Sequence, residues 1–278
     1  MKSYTFHVKH MCSPSSLQAL IDLISEYPGA EDEALIEYGA LQGLPIGTTV
    51  NSSQSLRENL TQCLRDFNLV DRKKNEFTAL GLTFRDVTWQ KPQLFGELIH
   101  YLFFSTWTPN VPGKYCYSWS YATTVRLLWS SGHMELNVQR LADDISDQIK
   151  QQFPAVAISF GANSIRGVLH WLRVLAPAVL PEQNKPQLFA RRSFCPPELF
   201  VLAVDTTYRQ NGIPYGSNLL LEPAIQQQIC ELCVLEPEGF ERVAGYAKLQ
   251  FTFLDRGMGG GWGSYLRLDR APTFADFK

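Results

Sequence analysis

Cys230 and Cys233 are separated by two residues, the spacing at which thiolates grip zinc or form a redox pair. Zinc wants four ligands, and no second CxxC or HxxxH lies at a suitable distance. Only His7, His10 and Cys12, near the other end of the chain, offer to complete a site. The pair therefore reads as two of six dispersed, reduced thiols (Cys12, Cys63, Cys116, Cys195, Cys230, Cys233) that serve as small core residues. The run Gly257-Met258-Gly259-Gly260-Gly261-Trp262-Gly263 is glycine-rich but lacks the Lys-Ser/Thr of a phosphate loop. It reads as a hairpin tip, and with Trp262, Arg256 and Arg267 it has the makings of a contact wing. Asp143, Asp144 and Asp147 crowd one short stretch, whereas two-metal chemistry draws carboxylates from separate elements onto one point, so these read as a solvated helix face. The five histidines match no local nucleophile signature. No cofactor, metal or catalytic set is expected, and the chain reads as no enzyme.

What remains is polar side chains on helix faces. Leu56, Leu60, Cys63, Leu64 and Phe67 form an apolar helical stripe, and opposite it lie Gln54, Arg57, Glu58, Thr61 and Arg65. Arg72, Lys73 and Lys74 follow as the densest basic cluster. Further on, Arg166, His170 and Arg173 fall at i, i+4 and i+7, with Arg191 and Arg192 in the next strand region. Between Asn163 and Arg192 there are five Lys or Arg against one acid, Glu182. Donor-rich side chains of this kind bind base edges and phosphates. Glu58, Asp66 and Asp71 work against phosphate, and a solvated face accepts arginine just as well.

The segment Ser53 to Leu82 (SQSLRENLTQCLRDFNLVDRKKNEFTALGL) resembles the recognition helix and first wing strand of winged helix-turn-helix DNA-binding proteins. The resemblance is local, about 30 residues, and rests on the third helix being followed by a basic turn and F-T-x-L-G. It implies that the exposed helix face enters the major groove while the basic turn meets phosphate. The links from second to third helix, about Gln42 to Ser53 and Gln151 to Asn163, exceed the usual turn of 3 to 4 residues.

These residues must be positioned by a recurring order of elements. Helices are expected at Ser15 to Tyr27, Glu31 to Leu41 and from Asn51-Ser52-Ser53 caps through Phe67, then a turn at Asp71 to Asn75 and a short strand in Glu76 to Thr83. Leu94 to Phe104 reads as a buried helix. A second run gives helices over Trp119 to Trp129, Val138 to Ile149 and one capped by Asn163 and Ser164, then a strand in Gln187 to Phe194. Pro196-Pro197 and Pro223 open further helices, Leu199 to Val204 being central. The end reads as β, with Leu249, Phe251 and Phe253 alternating, then Leu266 and Leu268. Asn51-Ser52 with Leu56-Arg57 and Leu64-Arg65 is loosely echoed by Asn163-Ser164 with Ile165-Arg166 and Leu172-Arg173.

The expected fold is therefore helix-rich α+β, with tandem winged-helix-like units and short β-hairpins. Residues 1–90 would form the first winged-helix-like unit, 91–195 a central helical unit in the position of a second winged-helix-like one, and 196–278 C-terminal helices with a β-hairpin. A net charge of −2 over 278 residues excludes a polybasic protein, so any nucleic-acid surface is a local patch. Apolar residues make up 45% and charged residues 19%, enough to bury a sizeable core. Met1 to Cys12 lacks the apolar run of a secretory signal and no stretch approaches a membrane span, so cytoplasmic residence is expected. The reading is a non-catalytic adaptor or regulator that binds double-stranded DNA within a multi-subunit assembly. The alternative is an interaction subunit with little DNA affinity that docks a protein partner through the aromatic run Tyr115 to Tyr121 (YCYSWSY).

Overall fold

Ser13 opens the first helix by accepting a hydrogen bond from the Ser16 N–H, with Pro14 preset at the first helical position. The computed structural model describes residues 4–8, 12–44, 56–154, 156, 159–181, 188–259 and 263–278. Helix α1 (Pro14–Glu26) and α2 (Asp32–Leu41) pack on each other and on α3, which runs as a π-helix over Leu56–Thr61 and as an α-helix over Gln62–Asp66. The stripe Leu56, Leu60, Cys63, Leu64 and Phe67 is buried as its spacing requires. The expected caps Asn51, Ser52 and Ser53 lie outside the described residues. After α3, Val70 makes an isolated antiparallel bridge to Phe77 around the turn Asp71 to Asn75.

The strand expected in Glu76 to Thr83 is a helix instead. Thr78 accepts from the Gly81 N–H and caps α4 (Ala79–Gln90), which turns Gly81, Phe84, Val87 and Thr88 inward and leaves Leu80 and Leu82 exposed. The short alternation of Phe77, Leu80 and Leu82 was too brief to separate a strand from the first turn of a capped helix. Gly81 has its own reason to be there: a Cβ at this position would stand 1.8 Å from the Leu69 carbonyl oxygen.

Helix α5 (Leu94–Ser105) is nearly all buried and packs on α6 (Cys116–Ser131). Helices α6, α7 (Val138–Gln152) and α8 (Ala162–Leu172) contact one another, and β1 (Met134–Glu135), which joins α6 to α7, pairs antiparallel with β2 (Leu188–Phe189) after α8. Strand β2 is shorter than the expected Gln187 to Phe194, of which Gln187 lies outside the described residues. Asn163 and Ser164 do not cap α8; Gly161 precedes it, and the Ser164 hydroxyl is buried against His7 Nδ1 at 2.5 Å. Helix α9 (Pro197–Gln210) is the central element expected, packed on α5, α10 (Pro223–Cys233) and α11 (Phe240–Gln250).

Helix α11 takes part of the expected terminal strand. Phe240, Val243, Ala244 and Ala247 turn inward at helical spacing, while Leu249 is 86% exposed. The alternation across Leu249, Phe251 and Phe253 thus mixed a helix end with a turn. The hairpin follows as β4 (Leu254–Gly259) and β5 (Gly263–Leu268), with β3 (Leu219–Leu220) completing a small sheet of order β3-β5-β4. Trp262 at its tip lies outside the described residues. The fold is thus α+β and helix-rich. Buried residues from Phe6 to Phe277 form one continuous core across all three expected units. Among the described residues no helix is long and apolar enough to cross a membrane.

Candidate nucleic-acid interface and the cavity beside it

The turn after α3 is built by its own side chains. Asp71 Oδ1 accepts the N–H groups of Lys73 at 2.8 Å and Lys74 at 3.1 Å, which holds the Asp71 carboxyl below its ordinary pKa. Arg65 reaches across the turn, donating from Nε to the Asp71 carbonyl at 3.2 Å and from Nη2 to Asn75 Oδ1 at 3.1 Å. Asn75 in turn donates to the Ala30 carbonyl and to Asp32 Oδ1, pinning the turn to the connection between α1 and α2. The outcome is a braced turn with Arg72, Lys73 and Lys74 all exposed.

A further cation meets this edge from the loop before α6. Arg72 Nη2 donates to the Tyr115 hydroxyl at 3.1 Å, and Lys114 Nζ sits 4.5 Å from the centre of the same ring. Tyr115 itself holds a left-handed backbone conformation, φ 57°, at the start of α6. Arg72, Lys73, Lys74 and Lys114 therefore line one edge.

Behind that edge is a cavity of about 350 Å³. Asn59, Gln62, Cys63 and Asp66 line it from a single face of α3, spaced i, i+3, i+4 and i+7. Tyr115, just before α6, and Cys116 and Tyr117 in its first turn also line it, with Phe103 from α5 and Thr5, His7 and Cys12 from the N-terminal segment. Asp66 Oδ1 accepts from Gln62 Nε2 at 2.6 Å, and burial raises the Asp66 pKa against the opposing pull of Gln62, Tyr117, Arg72 and Lys114. The Tyr117 hydroxyl is shielded from solvent and lies against the Asp66 carboxylate. Burial, and after it the Asp66 charge, keeps that phenol protonated well above its ordinary pKa. The Cys116 thiol is pushed up to about 11 by burial, which leaves it a poor nucleophile near neutrality.

The other expected contact residues divide sharply. Gln54 and the side chain of Arg57 lie outside the described residues. Thr61 is fully buried with its hydroxyl unpartnered among them, so it cannot read a groove; the π-turn Leu56–Thr61 rotates it inward. Arg65 is spent on the turn. In the second unit Arg166 is exposed and bonded to Asn163 Oδ1, whereas His170 and Arg173 are half-buried and burial lowers the Arg173 pKa. Arg191 donates to the Trp129 carbonyl at 2.7 Å with its guanidinium 4.2 Å from the Trp129 ring centre. Arg192 has no exposed side-chain surface and is paired with Glu97, so its place is in the core and not on a nucleic-acid face.

Lys114 was not singled out by sequence, Asp66 was read only as opposing phosphate, and Tyr117 was read only within the aromatic run Tyr115 to Tyr121, in which Trp119 and Tyr121 are buried core rings. The remaining candidates settle simply. Asp143, Asp144 and Asp147 are exposed on α7. Cys230 and Cys233 are buried, and burial pushes the Cys230 thiol up to about 12. His10 lies outside the described residues, within which no three metal-ligating side chains converge. Comparison of the chain with models of known protein families, with curated proteins and with solved structures finds no match.

Proposed function

We propose that the chain is a non-catalytic adaptor that binds double-stranded DNA through tandem winged-helix-like units. The observation that carries this reading is the cationic edge of Arg72, Lys73, Lys74 and Lys114, set on a turn braced by Asp71, Arg65 and Asn75. A braced basic turn suits phosphate contact because its backbone need not be ordered on binding. Two groupings support the wider reading: α1, α2 and α3 followed by the Val70 to Phe77 bridge, and α6, α7 and α8 with the β1 to β2 pair. Asp71 opposes phosphate less than its charge suggests, since its carboxylate is turned onto backbone N–H groups.

Fluorescence anisotropy with a labelled duplex tests the reading. Affinity should fall steeply with salt, and Lys73→Ala with Lys74→Ala should reduce the slope of log K against log salt by about 2. A folded chain that binds no duplex at low salt removes it.

One observation favours the second reading, an interaction subunit in a larger assembly. On α11, Tyr246 is 51% and Leu249 86% exposed, beside Phe194, Pro197 and Arg242 along a shallow groove. Copurification of a stable partner, lost on Leu249→Asp, supports that reading. A monomer with salt-dependent duplex affinity counts against it.

A further inference from the structure

We infer that the cavity between α3 and the start of α6 is a guanine-nucleotide site, with the base inside and its phosphate at the mouth. Its volume of about 350 Å³ falls at the small end of the ~300–1,000 Å³ of small-ligand sites, the size for a single ring system. One wall is aromatic: Tyr117 is held edge-on by Phe103 at 6.0 Å and stands 6.3 Å from Tyr115, ring centre to ring centre. A planar base stacks on such a wall whatever its sequence context.

The opposite wall selects the base. Gln62 donates one of its two amide N–H bonds to Asp66, whose carboxylate can only accept and keeps acceptor capacity towards the cavity. A carboxylate calls for a ligand edge with paired donors. Guanine offers N1–H and the N2 amino group side by side, a fork that fits a carboxylate as a guanidinium does. Adenine offers one donor group flanked by acceptors, and uracil and thymine one N–H between two carbonyls. The solvent-shielded Tyr117 hydroxyl lies beside that carboxylate, where it can donate to the guanine O6 next to N1–H. At the mouth, Arg72 and Lys114 converge on Tyr115 and supply the charge for one phosphate.

The inference goes beyond DNA binding and stands without it, because a free nucleotide and an unpaired guanosine in a strand present the same groups. The full chain is titrated with GMP, AMP and guanosine by saturation-transfer NMR and intrinsic fluorescence. Duplexes with one unpaired guanine are compared in parallel with fully paired duplexes by anisotropy. Binding of GMP at least tenfold tighter than AMP and guanosine assigns the cavity to free nucleotide. Preference for the unpaired-guanine duplex, without GMP binding, assigns it to a guanosine in a strand. In either case Asp66→Asn should lower affinity at least tenfold and Tyr117→Phe severalfold, with the fold intact by circular dichroism. Lys73→Ala with Lys74→Ala should leave GMP affinity unchanged while weakening paired duplex. Equal binding of AMP and GMP, or no GMP binding together with no preference for unpaired guanine, overturns the inference. So does unchanged affinity in a folded Asp66→Asn chain.

Discussion

The Glu97 carboxylate and the Arg192 guanidinium, 95 residues apart, form a two-pronged ion pair at 2.7 and 2.9 Å with no exposed side-chain surface on either partner. Burial works against the Arg192 charge, but Glu97 outweighs it and holds the guanidinium pKa above its ordinary value. Arg192 also donates to the carbonyls of Ala176 and Cys233, and Glu97 accepts the Ala176 N–H. The pair thus ties α5 to the segment after α8 and to the end of α10. Removing one partner leaves a buried charge, so Arg192→Met or Glu97→Gln should cost about 3–5 kcal/mol. Replacing both with apolar residues should recover much of that. Urea denaturation in a double-mutant cycle measures it, and additive single effects would contradict the pairing.

His100 should make stability depend on pH. Its Nε2 lies 2.7 Å from the Leu232 carbonyl, which can only accept, so Nε2 carries the proton and Nδ1 accepts from the Tyr121 hydroxyl at 2.7 Å. Burial is the main cause that lowers its pKa from 6.5 to about 4. The unfolded chain therefore binds more protons between those values. The contribution is complete above pH 6.5 and is lost as pH falls towards 4, by about 3 kcal/mol in all. His100→Gln should flatten the fall of melting temperature over that window.

The exposed and buried cations should separate cleanly. Lys73→Ala with Lys74→Ala should weaken duplex binding while moving stability by no more than about 0.5 kcal/mol. Arg191→Ala, which gives up its hydrogen bond and ring contact with Trp129, should lower stability by about 1–2 kcal/mol without altering the salt slope. Anisotropy and thermal denaturation on the same preparations check both.

Two core positions carry opposite expectations. Gly81→Ala forces a Cβ onto the Leu69 carbonyl oxygen and should destabilise by about 3 kcal/mol. Thr61→Val removes a buried hydroxyl that lacks a partner and should raise stability by about 1 kcal/mol. Chemical denaturation decides each, and a loss in Thr61→Val would mean that the hydroxyl is satisfied.

By itself the sequence determined the local elements whose signals are short-range. Apolar spacing located α1, α2, α3 and α7, prolines opened α9 and α10, and glycines placed the β4 to β5 turn. It also marked Arg72, Lys73 and Lys74, because a densely charged turn stays at the surface. The errors fell where a short pattern fits two periods, at Thr78 and at Leu249. Tertiary structure alone decided which polar residues are available. Arg72 and Arg192 are the same residue type in similar basic runs, yet one is solvated beside Tyr115 and the other is enclosed with Glu97. The reason is that the partner in each case lies tens of residues away. Periodicity reports a side chain's direction relative to its own element, and only packing determines what stands in that direction. The cavity behind Tyr115 follows the same rule, since Asp66 and Tyr117 meet only once α3 and α6 are packed.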